Sequence, residues 1–186
     1  MTGSDRKSGA AIAAGRKDTP VSRRPNILYI MTDQQAACAT SCSGNRDIST
    51  PAVDGLAETG VRFEKTYCTY PLCTPSRASM FTGLYPHQVG ITRNGQPIAE
   101  EFRERELGRV LSAAGYECVY GGKWHIPEIS IAEGHGFGRI CGFNDTELPG
   151  RSAEFLARKH ERPFFLVASF DNPHNICEWA RNQVLP

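Results

Sequence analysis

The chain has 186 residues, 40% of them hydrophobic and 22% charged, with 21 Lys and Arg against 20 Asp and Glu. That length suffices for one domain with a core and is short for two, and a net charge of +1 gives no global pull towards nucleic acid or acidic membranes. The longest apolar runs, Ile27–Met31 and Phe164–Ala168, fall far below the ~20 residues needed to cross a bilayer, so no membrane span is expected.

Residues 1–24 combine Lys and Arg with Gly, Ala and Ser and read as a disordered basic leader. They hold no apolar stretch of the signal-peptide kind, which favours a cytoplasmic location. Residues 25–186 form the folded part. Its first element is Asn26–Met31, a continuous apolar run expected as a strand covered on both faces, ending at Thr32-Asp33-Gln34. Thr50-Pro51 predicts a helix start with Gly60 just past its end. Val61–Tyr67 reads as a second, half-exposed strand. Thr74-Pro75 repeats the start signal and Gly83 the stop, which sets a helix immediately after Cys73.

A third helix is expected over 99–114, with Leu107, Val110, Leu111 and Ala114 as its apolar stripe and Gly115 as its end. Tyr116–Tyr120 alternates as a strand. Ser152 is read as the cap of a short helix to about His160, barred from continuing by Pro163. Phe164–Phe170 is the last strand and leads into Asp171-Asn172-Pro173-His174. Strands alternating with helices predict an α/β fold with a mainly parallel sheet. The seven cysteines, without an export signal, suit a reducing compartment rather than a disulfide framework. Their spacings match no zinc knuckle.

Polar residues follow three of these strands: Asp33-Gln34, Lys123-Trp124-His125 and Asn172-Pro173-His174. Cys73, Ser76 and Arg77 stand at a helix start. In a parallel sheet all four points can meet on one edge, where open α/β sheets place ligands. Singly, each has an ordinary role as a loop cap, surface charge, loop histidine or inert thiol. Together they suit a tetrahedral oxyanion such as sulfate or phosphate. Its oxygens would be held by Arg, Lys and helix N-terminal amides, with a hard cation on the carboxylate.

Cys73-Thr74-Pro75-Ser76-Arg77 followed by Thr82-Gly83 resembles the signature of the sulfatase family, C-x-P-S-R with a later T-G. At roughly 5% background per fixed position, a chance match is on the order of one in 10^5 or rarer. Pro25–Leu28 running into Thr32-Asp33-Gln34, Thr50-Pro51 to Phe63, Gly121-Gly122-Lys123-Trp124-His125 and Phe164–Leu166 to Pro173-His174 resemble further family segments in order. The resemblance covers about residues 25–186 and implies the N-terminal portion of an alkaline phosphatase-like catalytic domain, with helices sandwiching the sheet.

The same resemblance implies that Cys73 is converted to formylglycine by a maturation enzyme that reads the Pro and Arg. Asp33, Gln34 and the hydrated aldehyde at Cys73 would hold a divalent metal, usually Ca2+, and that hydrate would be the nucleophile towards a sulfate ester. Arg77 would polarise it, Lys123 and His174 would grip the sulfate, a Lys or His near the leaving oxygen would act as general acid, and His125 would take the remaining hydroxyl proton so that sulfate is expelled. Gln34 departs mildly from the Asp of many relatives. Sulfatases are commonly longer, with further metal ligands and a Lys beyond the stretch matched. The chain therefore reads as truncated and is expected, by itself, to bind metal weakly and hydrolyse little. The alternatives are a phosphonate or phosphate monoester hydrolase of the same superfamily and a truncated chain without activity. A Cys-nucleophile phosphatase fits poorly, because Cys73 and Arg77 enclose only Thr-Pro-Ser.

Overall fold

The computed structural model describes residues 24–127 and 134–181; apart from Arg24, the expected basic leader lies outside the described residues. The elements are β1 (Ile27–Asp33), a 3-10 turn (Ser41–Ser43), α1 (Pro51–Thr59), α2 (Cys73–Thr82), α3 (Glu100–Arg103), α4 (Leu107–Ala113), β2 (Glu117–Gly122), β3 (Gly138–Cys141), α5 (Leu148–Ala157), β4 (Phe164–Pro173) and α6 (Ile176–Ala180). The four strands form one sheet in the order β1-β4-β2-β3. Every pairing is parallel, with Ile27 opposite Phe165, Glu117 opposite Phe164 and Val119 opposite Gly138. The α/β class with a parallel sheet is therefore borne out.

Helices lie on both faces. On one, Ala78 and Phe81 of α2 and Leu107 and Leu111 of α4 pack with Tyr120, Trp124, Phe137, Phe165 and Val167. The rings of Phe81, Tyr120, Trp124 and Phe137 meet edge to face or tilted, with centroids 5.0–6.2 Å apart, separations favourable for aromatic pairs. On the other face, α5 sets Phe155 against Val119, Phe164 and Leu166, and Leu148 against Cys141 and Ala168. All seven cysteines are free.

Several elements differ from expectation. β1 is buried on one face only: Ile27, Tyr29 and Met31 pack on the core, while Leu28 and Ile30 are 45% and 54% exposed, because α5 packs chiefly on β2, β3 and β4. Val61–Tyr67 is not a strand. Its alternation is real, but no neighbouring strand pairs with it among the described residues, and Val61, Phe63 and Tyr67 are largely exposed. The expected helix over 99–114 is two helices. The chain breaks where Glu106, fully buried, turns its carboxylate onto His135 Nδ1 at 2.6 Å. Ser152 caps nothing; it lies buried in the second turn of α5, which starts at Leu148 with Pro149 in its first turn.

Gly122 explains how tightly the centre closes. It ends β2 with φ +90°, and a Cβ there would overlap the carbonyl oxygen of Ser169 in β4. Only glycine allows both the left-handed backbone and that approach. Immediately beyond it, the Lys123 amide donates to the same carbonyl at 2.9 Å, so Lys123 leaves the sheet beside β4.

Candidate active site

The carboxyl ends of the strands supply the site's charges. Asp33 ends β1, Lys123 follows β2, and Asp171 lies near the end of β4. α2 comes in from the side with Cys73 as its first residue and Arg77 one turn on, a spacing that sets both on one helix face.

Arg77, 2% exposed, anchors the group. Its Nη1 donates to the Lys123 carbonyl (2.6 Å), Ser169 Oγ (3.0 Å) and Tyr120 Oη (3.2 Å), and its Nη2 to Asp33 Oδ2 (3.2 Å). Lys123 Nζ sits 2.7 Å from both Asp33 Oδ2 and Asp171 Oδ1. Two carboxylates thus face two cations in a largely buried cluster, which lessens the desolvation cost that an unpaired ion would carry there. Asp33 divides its oxygens: Oδ2 takes both cations, while Oδ1 faces Cys73 Sγ at 3.7 Å.

The electrostatics follow. Burial pushes the Asp33 carboxyl up, but the hydrogen bond and charge of Lys123 and the charge of Arg77 outweigh it and hold it below the ordinary value. Burial lowers Lys123, yet its hydrogen bonds to Asp171 and Asp33 win and it is raised. The Cys73 thiol is raised by burial and then by the Asp33 charge. Left as a thiol it is therefore a poor nucleophile, which counts against a Cys-nucleophile phosphatase. His125 is lowered by desolvation at the cleft wall and by the charges of Lys123 and Arg77, so it is a neutral base at pH 7.

A cleft of about 590 Å³ joins Asp33, Gln34, Cys73, Ser76, Arg77, His125 and His174. A neighbouring one of about 400 Å³ is lined by Lys123, His125, Asp171 and His174 together with Arg139 and Phe143. The structure thus brings together every residue singled out in the sequence. Gln34 and His125 take left-handed backbone, φ +64° and +59°, unusual for such residues and placed here at the cleft. The α2 amides are less available than expected. The Thr74 amide donates to Asn94 Oδ1 and the Ser76 amide to the Leu72 carbonyl, each at 2.9 Å, and Pro75 has none.

Sequence reasoning missed Asp171, Ser169, Tyr120 and Asn94 as site residues. The carboxylate of Asp171 at a strand end was the available signal; nothing in the sequence marks the other three. Asp145 was missed too. It accepts from the backbone amides of Asp171 (2.8 Å) and Asn172 (2.7 Å) and from the Asn172 side chain (2.8 Å), and so fixes the turn that carries Asp171 and His174.

For a hard cation, Asp33 Oδ1 and the Gln34 amide oxygen are donors of the right chemistry, part of the 6–8 oxygens that calcium takes. Among the described residues no group of three or more His, Cys, Asp and Glu is arranged to hold a metal.

The sequence profile of the sulfatase family matches residues 25–152. The chain belongs to the sulfatase family. It corresponds to the N-terminal portion of the sulfatase catalytic domain. It is 38% identical, over an alignment 202 positions long, to the uncharacterized sulfatase YidJ of Escherichia coli K12, covering 82% of this chain and 39% of that protein. The solved structure of BT4656 in complex with its substrate D-glucosamine-2-N,6-O-disulfate aligns with a TM-score of 0.68 and 26% identity, over 88% of this chain and 39% of that one. A phosphonate monoester hydrolase of Agrobacterium radiobacter shares the fold, with a TM-score of 0.69 at 22% identity over 81% and 41% of the two chains. The chain spans about two fifths or less of the length of these curated sulfatases. No described helix is long and apolar enough to cross a membrane.

Proposed function

We propose that this chain carries the nucleophile and most of the sulfate grip of a formylglycine-dependent sulfatase acting on a sulfated sugar. The observation that carries this reading is the single cleft in which Cys73 meets Asp33 Oδ1, Arg77, His125 and His174, with Lys123 bridging two carboxylates at its edge. The family membership supports the reaction class, and the substrate in the BT4656 complex, D-glucosamine-2-N,6-O-disulfate, supports a sulfated sugar.

The hydrated aldehyde derived from Cys73 would supply the attacking oxygen, and a divalent metal held by Asp33 and Gln34 would draw charge from the sulfate. Arg77, immobilised by four acceptors, keeps a fixed positive charge one helical turn from residue 73. Lys123 has three donors; two are used on Asp33 and Asp171, and the third is directed to a sulfate oxygen. His174 Nδ1 lies 3.5 Å from Asp171 Oδ1, and its ring lines the same cleft as Cys73 and Arg77, where it would contact the sulfate. His125, neutral at working pH, takes a proton from the hydroxyl at residue 73. A maturation enzyme is the partner this requires.

The test is mass spectrometry of the Cys73 peptide after expression with a maturation system. The peptide should be lighter by about 18 Da than the thiol form, and Cys73→Ala should abolish turnover of sulfate esters. Finding only the thiol would overturn the reading. Comparing sulfate with phosphonate esters separates it from the phosphonate hydrolase chemistry of the same fold.

A further inference from the structure

The second cleft contains a charge the reaction does not use. Arg139 lies on β3, the strand missing from the sequence reading, near the same carboxyl edge that carries Asp33, Lys123 and Asp171. Its Nε donates to the Cys141 carbonyl at 3.2 Å. Its guanidinium passes so close over Gly142 that a Cβ there would stand 3.2 Å from Nη2. The side chain is therefore placed at the cleft wall, and among the described residues no acidic side chain is paired with it. In the adjoining cluster, Asp33 and Asp171 cancel Lys123 and Arg77. Arg139 is then the uncompensated positive charge among the residues lining this cleft.

Beside it stands Phe143, half exposed, with Lys123 Nζ 6.0 Å from its ring centroid. A half-exposed aromatic ring lining one cleft with His125, His174 and Arg139 suits a ring with an apolar face and a polar edge, which is the pattern of a sugar. Lys123, His125 and His174 are shared between this cleft and the sulfate grip, so a ring on Phe143 would be joined to the sulfate being cleaved.

We infer that the Arg139–Phe143 cleft is a subsite for the alcohol half of the substrate, and that it selects a sugar bearing a second anionic group, a carboxylate or a further sulfate. This rests on the sulfate-ester reading above. Arg139 holds the second anion through its guanidinium, and Phe143 takes the ring face.

The test is an equilibrium titration, followed by NMR, of the full chain with sugars that lack the scissile sulfate. The probes are methyl glucuronide (carboxylate), glucosamine N-sulfate (sulfate) and neutral methyl glucoside, with inorganic sulfate titrated separately. A charge-assisted hydrogen bond is worth roughly tenfold to a hundredfold in affinity, so at least one anionic sugar should bind tighter than the glucoside by about that factor. Whichever of the two does so identifies the second anion. Arg139→Ala should erase the preference and leave inorganic sulfate binding within about twofold; Arg139→Lys should retain part of it. Phe143→Ala should weaken all three sugars alike. Equal binding of charged and neutral sugars by the wild type, or a preference that survives Arg139→Ala, overturns the subsite. No binding of inorganic sulfate with the Arg139-dependent preference intact leaves the subsite standing and removes the proposed sulfate grip instead.

Discussion

Strands β1 and β4 are paired along their length, yet they live in different surroundings. β4 is buried on both faces from Phe164 to Ser169 and delivers Asp171 and His174. β1 is buried on one face and delivers Asp33 and Gln34. His174, proposed to grip the sulfate, therefore hangs from the best-packed strand, whereas the proposed metal ligands hang from an edge whose Leu28 and Ile30 meet solvent. What holds Asp33 in place is the cluster it joins rather than the packing of its own strand: Arg77 and Lys123 tie it to β2 and β4.

The sharpest way to break this contrast is Arg77→Ala. It leaves Asp33, Ser169 and the Lys123 carbonyl short of a buried partner, and removing one member of a buried pair costs about 3–5 kcal/mol. The midpoint of urea unfolding should fall accordingly and sulfate-ester turnover should vanish. A loss below about 1 kcal/mol would show that the cluster does not anchor β1.

Next comes a matched pair of truncations. Leu166→Ala on β4, at a fully buried position, should cost about 2–5 kcal/mol. Leu28→Ala, its register partner on β1, should cost less than about 1 kcal/mol because the side chain is already half in water. Equal costs in denaturant unfolding would mean that the outer face of β1 is covered in solution.

Asp145→Ala removes three hydrogen bonds from the turn after β4 and should cost about 1–3 kcal/mol. Its larger signature is a shift of the His174 ring signals in a heteronuclear NMR spectrum. Unchanged signals would deny Asp145 its positioning role.

The smallest effect is on pH. His125 has its folded pKa lowered from the ordinary 6.5, so between those two values the unfolded chain binds more protons than the folded one. Stability should thus be full above about 6.5, decline as pH falls towards the lowered value, and level off beneath it. His125→Gln should flatten that part of the profile; a slope that persists belongs to another group.

The sequence displayed the signals of this contrast unevenly. α1 and α2 were readable because Pro and Gly punctuate them, and β4 because seven consecutive residues from Phe164 are almost all apolar. β3 was invisible: Gly138-Arg139-Ile140-Cys141 is short and has no apolar run. Val61–Tyr67 misled because alternation records a preference for a pleated surface, not the presence of a partner strand. Cys73, Arg77, Lys123, His125 and His174 were legible from their type and spacing. Asp171 showed only as a carboxylate at a strand end, and Asp145 not at all, because their roles consist of holding Lys123 and a turn, contacts fixed only by the tertiary fold.

Gly122 sets a boundary for anyone redesigning this region. Randomising 121–125 to alter reactivity would spend almost every non-glycine codon at position 122 on chains whose two central strands cannot approach each other. Variation at Arg139 or Phe143 touches no such closure. The proposed subsite can therefore be varied from the outer strand inward, with position 122 kept constant throughout the library.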